Sequence, residues 1–504
     1  MRRSILGAVG VLLLSAATAA QATFEELARD ARTGRNYERA RAVRALADLD
    51  SPEAWEVVFE LLDEPAGEAG GSAGWYLGTC RVAAIVERLA GKEGLGARDE
   101  RTRARAAEAL GRSPLEVDIE ALFRAASKDR DADVRRFAWR AFGLRAANQD
   151  VWGDAKQRAK RTRALVTAAE KEKDVAARGR ALVVAATLLG DEARAAVARA
   201  VTDKRPGIRA AAAHAAGVLE GAGAWLDALA ADEHWSVRRA AFEAWATAPS
   251  RATLEKLVER LVAETRPRLR ARLVALLREF SGHKHGADAR AWRDWLGSLE
   301  AGWRPHSGQR SSRPAPLEVS STWRGVPILS GSVAFLIDLS GSIREQRADG
   351  RTRKDVVDEE LAEALASLGP EAQFVLVGYH GDVLVWRDEP QAATATNVEK
   401  ALEWFRKIDS SGPGNLWSAI EATWSLSDAI DTLFVLHDGA PTGDVHYRAE
   451  LYRDLFLAAN LTRSTFFDTI LVDSPRYVRG LFSELAERSG GIVAARDLDG
   501  AEAR

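Results

Sequence analysis

Apolar residues recur at helical spacing through residues 23–302, a region rich in Ala, Arg and Leu with almost no strand-like alternation. An acidic residue, a short spacer, an apolar residue and an arginine recur before its Ala-rich helices. These arginines are Arg103, Arg135, Arg178, Arg209, Arg238 and Arg270, at intervals of 32, 43, 31, 29 and 32 residues. Each interval can hold two helices and two turns, so the pattern predicts a solenoid of helical hairpins.

The repeat pattern resembles HEAT-like repeats. We expect each repeated arginine to pair with an acidic residue of an adjacent turn; a polyanion-binding stripe is the alternative. The longest interval predicts an insertion near 146–160. The Gly-rich residues 66–74 predict a loop, with Trp75 opening the next helix.

From residue 328 the pattern changes to short apolar runs that alternate with amphipathic stretches. This order predicts an α/β doubly wound fold with a mostly parallel sheet covered on both faces. Runs at 383–386 and 374–379 predict a hairpin whose second strand lies at the sheet edge. The other predicted strands are 333–337, 432–436, 465–472 and 491–495, and the predicted helices are 354–368, 397–408, 415–428, 446–462 and 477–489.

Between the two regions, residues 303–327 contain four prolines among Ser and Arg and lack a helical period, which predicts a linker. The expected organisation is a signal peptide at 1–22, a HEAT-like solenoid at 23–302, this linker, an α/β domain at 328–498 and a tail at 499–504. The signal-peptide prediction follows from Arg2 and Arg3, an apolar core at 5–14 and Ala20-Gln21-Ala22. A retained membrane anchor is the alternative, although the apolar core is short for a membrane span.

Composition adds an asymmetry of charge. Residues 1–324 hold 54 basic and 44 acidic residues, whereas residues 325–504 hold 17 and 29. The acidic second part favours a cation, and the two parts could dock electrostatically. Basic residues are mixed with acidic ones, so we expect no nucleic-acid partner. Cys80 is the single cysteine, which excludes an intramolecular disulfide.

The most informative chemistry follows the apolar run 333–337. Asp338, Ser340 and Ser342 place three oxygen-bearing side chains at alternate positions, with Gly341 allowing a tight turn. One or two carboxylates with neutral oxygens and waters suit a hard divalent cation such as Mg²⁺. In open α/β sheets, ligands bind beyond the carboxyl ends of the strands. The alternative is that these side chains only cap the local turn.

The Asp-x-Ser-x-Ser spacing and the order of elements resemble the von Willebrand factor A (VWA) domain and its metal-ion-dependent adhesion site. The resemblance implies metal ligands at Asp338, Ser340, Ser342 and Asp438, where Asp438 stands in Leu-His-Asp-Gly. Gly414 stands where the family has a metal-binding Thr, so one hydroxyl is missing. Water, Ser410 or Ser411 could replace it. The ion would be Mg²⁺, or else Mn²⁺ or Ca²⁺, bound more weakly than in the family.

The resemblance implies an exported, adhesion-type module that binds a partner's carboxylate through the cation, while the solenoid contacts a second protein. HEAT-like repeats joined to such a domain occur in exported bacterial proteins, periplasmic or extracellular. The alternative is a metal-independent scaffold in which both domains bind proteins by surface shape. No catalytic motif is evident, so we expect no enzyme. A hydrolase using Ser340 or Ser342 with His437 and Asp438 would need a relay between side chains that point to opposite faces of a strand.

Overall fold

A computed structural model describes residues 23–64, 68–300, 302–306, 322–323, 326–346, 350–409, 412–437, 439, 449–472 and 474–496. The chain divides into two compact units: residues 1–157 form most of the first, and residues 158–443 with 449–504 form the second. This division falls inside the predicted solenoid, and the predicted domain boundaries stay predictions. Across the described ranges, no helix is both long and apolar enough to cross a membrane.

The described part of the first unit is helical. Its helices are α1 (23–33), α2 (Asn36–Leu49), α3 (Pro52–Glu60), α4 (Glu68–Leu77), α5 (Ala83–Ala90), α6 (Glu100–Arg112), α7 (Ile119–Lys128) and α8 (Ala132–Arg145). Acidic N-caps begin several of them: the Asp131 carboxylate, for example, accepts the N–H of Val134 at 3.0 Å. The connection after α8 spans 146–154, within the predicted insertion.

The prediction of a loop at 66–74 is wrong, because α4 begins at Glu68. The glycines there serve close packing and not a turn. A Cβ atom at Gly70 would lie 2.4 Å from Nη1 of Arg105, and one at Gly74 would lie 3.0 Å from the Arg105 Cβ. Arg105 donates through Nη1 to the carbonyl oxygens of Leu62 and Glu64. The helix therefore uses glycine so that a buried arginine can cross its surface.

The helical part of the second unit continues the hairpin pattern. Its helices are α9 (Ala155–Lys171), α10 (Val175–Leu189), α11 (Arg194–Val201), α12 (Pro206–Ala216), α13 (Gly223–Leu229), α14 (Trp235–Ala246), α15 (Arg251–Ala263), α16 (Pro267–Ser281) and α17 (Ala289–Gly297). Proline in the first turn of α12 and α16 suits a helix start, because its missing N–H would have no helical partner there.

The repeated arginines join neighbouring repeats. Arg209 donates to both carboxylate oxygens of Asp232, at 2.7 and 2.8 Å, and to the carbonyl oxygens of Asp203 and Lys204. The same arrangement recurs at Arg103 with Asp129 and at Arg238 with Glu264, whereas Arg178 makes a single hydrogen bond to Asp203, at 2.7 Å. The predicted pairing with acidic residues of adjacent turns is confirmed for these four arginines.

The rest of the second unit is an α/β domain. Its strands are β1 (Thr322–Trp323), β2 (Val326–Pro327), β3 (Ser332–Asp338), β4 (Gln373–Tyr379), β5 (Val383–Val385), β6 (Gln391–Ala392), β7 (Thr432–His437), β8 (Phe466–Val472) and β9 (Val493–Arg496). Its helices are α18 (Arg353–Ser367), α19 (Ala395–Arg406), α20 (Leu416–Leu426), α21 (Ala449–Ala459) and α22 (Arg476–Arg488).

The main sheet has the order β5-β4-β3-β7-β8-β9, with β6 pairing with β4. Strands β3, β4, β7, β8 and β9 pair in parallel, and β5 is the antiparallel edge strand of the predicted hairpin. Every residue of β3 is buried, because apolar helices cover both faces of a central strand. The predicted doubly wound, mostly parallel sheet is confirmed.

Arginines of the helical region hold the sheet at the amino-terminal side of β7 and β8. Arg268 pairs with Asp468 inside β8, and both side chains are almost fully buried, at 2% and 1% exposure. Arg266 pairs with Asp431 at 3.2 Å, immediately before β7. The guanidinium groups of Arg239 and Arg268 both stack on the ring of Phe466, at 3.7 and 4.4 Å from its centroid. Within this unit, ion pairs therefore join basic residues of the helices to acidic residues of the sheet.

Candidate functional site

The Asp-x-Ser-x-Ser segment lies at the carboxyl end of the central strand. Asp338 ends β3 and is largely buried, and its Oδ1 accepts the N–H of Ser340 at 2.8 Å. The hydroxyl oxygens of Ser340 and Ser342 lie 3.2 Å apart. Gly341–Arg344 form a short 3-10 turn directly after Ser340, which brings the two hydroxyls to the same side. The three predicted ligands of this segment are therefore brought together.

Two neighbouring segments fix this turn through backbone hydrogen bonds. The N–H of Leu339 donates to the carbonyl of Tyr379 at the end of β4, at 2.8 Å. The N–H of Gly341 donates to the carbonyl of Gly412 at 3.1 Å, and an ion pair joins Arg344 to Asp409. The turn after β3 and the segment before α20 thus hold each other in place at one edge of the sheet.

Gly414 lies directly against the Asp338 carboxylate. A Cβ atom built on Gly414 would be 3.2 Å from Oδ2 and 3.4 Å from Oδ1 of Asp338. The segment continues into α20, whose N-cap Asn415 accepts the N–H of Ser418 at 3.3 Å and donates its own N–H to the carbonyl of His380. A side chain at position 414 would therefore project onto the carboxylate, which is where a threonine would bring its hydroxyl.

Asp438, Ser410 and Ser411 lie outside the described residues. Strand β7 ends at His437, next to β3, with Leu436 opposite Ile337. Within the described ranges there is no group of three or more His, Cys, Asp and Glu side chains spaced for a metal ion. The predicted set combines hydroxyls with two carboxylates, of which only Asp338 is described, so its assignment as a metal site stays a prediction.

His437 faces the helix layer of the sheet. Its ring packs edge-on against Phe482 of α22, with centroids 4.2 Å apart, and Nδ1 lies 2.9 Å from the carbonyl oxygen of Gly439. Burial lowers the pKa of His437 to about 4, so the imidazole is neutral at pH 7. These contacts are those of a buried core histidine and include neither serine hydroxyl of the turn after β3.

The sequence did not predict the contacts that hold this turn, namely the backbone hydrogen bonds to Tyr379 and Gly412 and the Arg344–Asp409 pair. Each joins segments far apart in sequence, and Arg344 and Asp409 carry no motif. The unbroken apolar runs that predicted β3 and β4 did indicate that the ends of these two strands meet, because adjacent parallel strands end at the same edge of the sheet.

Comparisons with known proteins agree with the resemblance. A stretch of 128 residues is 29% identical to inter-alpha-trypsin inhibitor heavy chain 4 of Mus musculus, covering 23% of this chain and 13% of the relative. A stretch of 122 residues is 30% identical to heavy chain H2 of Sus scrofa, covering 22% and 12%. The match thus spans about one eighth of these relatives, which contain a VWA domain. No profile of a known protein family matches the chain.

Among solved structures, a von Willebrand factor type A protein from Catenulispora acidiphila aligns with a TM-score of 0.28 and 17% identity, over 33% of this chain and 38% of that one. That score is too low to establish a shared fold by itself. The strand order, the Asp-x-Ser-x-Ser turn after β3 and the similarity to the heavy chains support a VWA domain in the α/β part of this chain. VWA domains mediate interactions between proteins.

Proposed function

We propose that the VWA domain binds a partner protein through a divalent cation held by Asp338, Ser340, Ser342 and Asp438. The ion, Mg²⁺ or else Mn²⁺ or Ca²⁺, would keep an open position for a carboxylate of the partner. The helical repeats would provide a second contact surface. The proposed role is binding and not catalysis.

The observation that carries the proposal is the 3.2 Å separation of the Ser340 and Ser342 hydroxyl oxygens beside the Asp338 carboxylate. Two adjacent ligands of an octahedral Mg²⁺ at about 2.1 Å lie about 3 Å apart. The hydroxyl pair therefore needs little movement to bind one ion. The excess of acidic residues in 325–504 would also concentrate cations near this edge.

Titration calorimetry of the full chain with MgCl₂ and MnCl₂ tests the metal. We expect saturable binding that Asp338→Ala abolishes and that Asp388→Ala, an exposed acid of the same domain, leaves unchanged. No saturable heat in the unsubstituted protein, or equal binding by Asp338→Ala, would overturn the proposal. Capture of partners from a cell-envelope extract, with and without EDTA, then tests whether the cation is needed for binding.

A second candidate is a metal-independent scaffold. Asp338 already accepts a backbone hydrogen bond from Ser340, the role of an ordinary turn cap, and Gly414 supplies no hydroxyl. In that case partner capture would be unchanged by EDTA and by Asp338→Ala, while substitutions on the exposed helical surface would reduce it.

We also propose that the protein is exported, periplasmic or extracellular, with a signal peptide at residues 1–22, which lie outside the described residues. The basic start, the apolar core at 5–14 and the Ala-x-Ala sequence support this. Mass spectrometry of the natural protein should find an N-terminus at Thr23. Recovery of peptides from residues 1–22 on the folded protein would favour a retained anchor.

A further inference from the structure

A cavity of about 230 Å³ lies within the second unit, between helices α12 and α14 and the α/β domain. Its walls include His214 of α12, Arg239, Glu243 and Thr247 at α14, Asn460 after α21 and Arg488 at the end of α22, with Glu243 the acidic residue among them. The volume equals roughly eight waters at about 30 Å³ each, so a small ion with part of its hydration shell fits. It lies apart from the Asp-x-Ser-x-Ser turn.

The buried charges around this cavity leave one arginine without a carboxylate hydrogen bond. Both oxygens of Glu243 accept from Arg272, at 2.7 Å each, and Asp468 accepts from Arg268. Arg239, only 4% exposed, donates to the carbonyl oxygens of Ser464 and Ser489, and its Nε has no hydrogen-bond partner on the described part of the chain.

Burial is the main influence on the charge of Arg239. Burial, together with the charges of Arg272 and Arg268, lowers the pKa of Arg239 to about 9, and Glu243 at 3.8 Å from Nε offsets only part of the shift. An anion beside a buried guanidinium group would stabilise its charged form.

Two further donors face the same cavity. Arg488 is about half exposed, and its contact with Glu484 of the same helix is long, at 3.5 Å. The imidazole of His214 makes no hydrogen bond to any described residue. Three nitrogen-bearing side chains from three different helices therefore converge on one solvent-accessible space.

We propose that this cavity binds a small tetrahedral oxyanion, either inorganic phosphate or the phosphate group of a small phosphomonoester. Charged N–H donors from several directions suit the oxygens of such an anion better than those of a planar carboxylate. Arg488 supplies a partly exposed positive charge that attracts the anion from solvent. His214 supplies a neutral N–H donor, and Arg239 supplies the buried positive charge. Bound there, the anion joins the helical repeats to the last helix of the VWA domain.

Titration calorimetry of the full chain, without divalent cations and with ionic strength held constant by NaCl, tests this site. The probes are inorganic phosphate, glycerol phosphate and acetate. We expect saturable binding of phosphate, at millimolar dissociation constant or tighter, and none of acetate. Glycerol phosphate binding as tightly as phosphate identifies an open site for phosphomonoesters, whereas exclusion of glycerol phosphate restricts the proposal to the inorganic ion.

Two surface substitutions make the test specific. Arg488→Gln removes an exposed donor and should weaken phosphate binding about tenfold or more, whereas Arg290→Gln, an exposed arginine elsewhere in this unit, should leave it unchanged. Thr247→Asp places a carboxylate on the exposed cavity wall and should abolish binding without loss of thermal stability. Absence of saturable phosphate binding, equal binding of acetate, or unchanged binding by both Arg488→Gln and Thr247→Asp would overturn the proposal.

Discussion

Replacing Arg268 by Met should strongly destabilise the second unit. The substitution removes the cation that is hydrogen-bonded to Asp468, in a place where the two side chains are 2% and 1% exposed. Removing one member of a buried ion pair typically costs about 3–5 kcal/mol, because the remaining charge keeps its desolvation cost without its partner. The N–H of Ile492 still donates to Asp468 at 2.8 Å, so we expect about 3 kcal/mol, at the lower end of that range.

The loss of unfolding free energy caused by Arg268→Met should depend on pH. Burial raises the pKa of Asp468, and the Arg268 charge opposes that rise. Without Arg268 the folded-state pKa rises further above the unfolded value, so the folded protein binds this proton more tightly than the unfolded chain does. Acidification then favours folding at this site, and the loss caused by Arg268→Met should shrink as the pH falls from 8 towards 5.

Urea unfolding of the full chain, followed by circular dichroism at several pH values, measures this effect. The matched control is Arg463→Met, which breaks the exposed pair with Asp428 at 2.7 Å and should cost about 0–1 kcal/mol. Adding Asp468→Asn to Arg268→Met should recover part of the loss. A loss no larger than that of the control, or one independent of pH, would refute the reasoning.

Three further predictions concern separate features. Arg209→Leu removes the pair with Asp232 and two carbonyl contacts and should cost about 2–4 kcal/mol in urea unfolding, against about 0–1 kcal/mol for the exposed Arg194→Leu; equal losses would refute a structural role for the repeated arginines. Burial raises the pKa of Cys80 from 9.0 to about 11, so its thiolate fraction at pH 8 falls about a hundredfold, and a disulfide reagent should label it slowly until guanidinium unfolds the protein; fast native labelling would contradict this. Gly414→Thr should bind Mg²⁺ about tenfold more tightly than Gly414→Ala, since only threonine adds an oxygen ligand; equal affinities in calorimetry would argue against a cation there.

The sequence pattern was most informative where burial is uniform along an element. Strand β3 is buried at every position, and its unbroken apolar run predicted both the strand and the location of Asp338 at its end. The repeated arginines were also predictable, because their spacing follows the period of the helical hairpins and their acidic partners recur with them.

Contacts between distant segments could not be predicted. Arg268 and Asp468 are separated by 200 residues, and neither stands in a motif that indicates its partner. The helix at Glu68–Leu77 was missed for a different reason: glycine normally indicates a turn, whereas here it makes space for Arg105. The resemblance placed Gly414 at the family's threonine position, but its distance from Asp338 could be read only from the structure.

The most direct test of the cation site is anomalous diffraction from crystals of the full chain grown with MnCl₂. The proposal predicts one strong anomalous peak at the end of β3, within about 2.2 Å of the Ser340 and Ser342 hydroxyl oxygens and linked directly or through water to Asp338 and Asp438. Absence of a peak there at saturating Mn²⁺, or aspartates too far apart to share the ion's hydration shell, would contradict it.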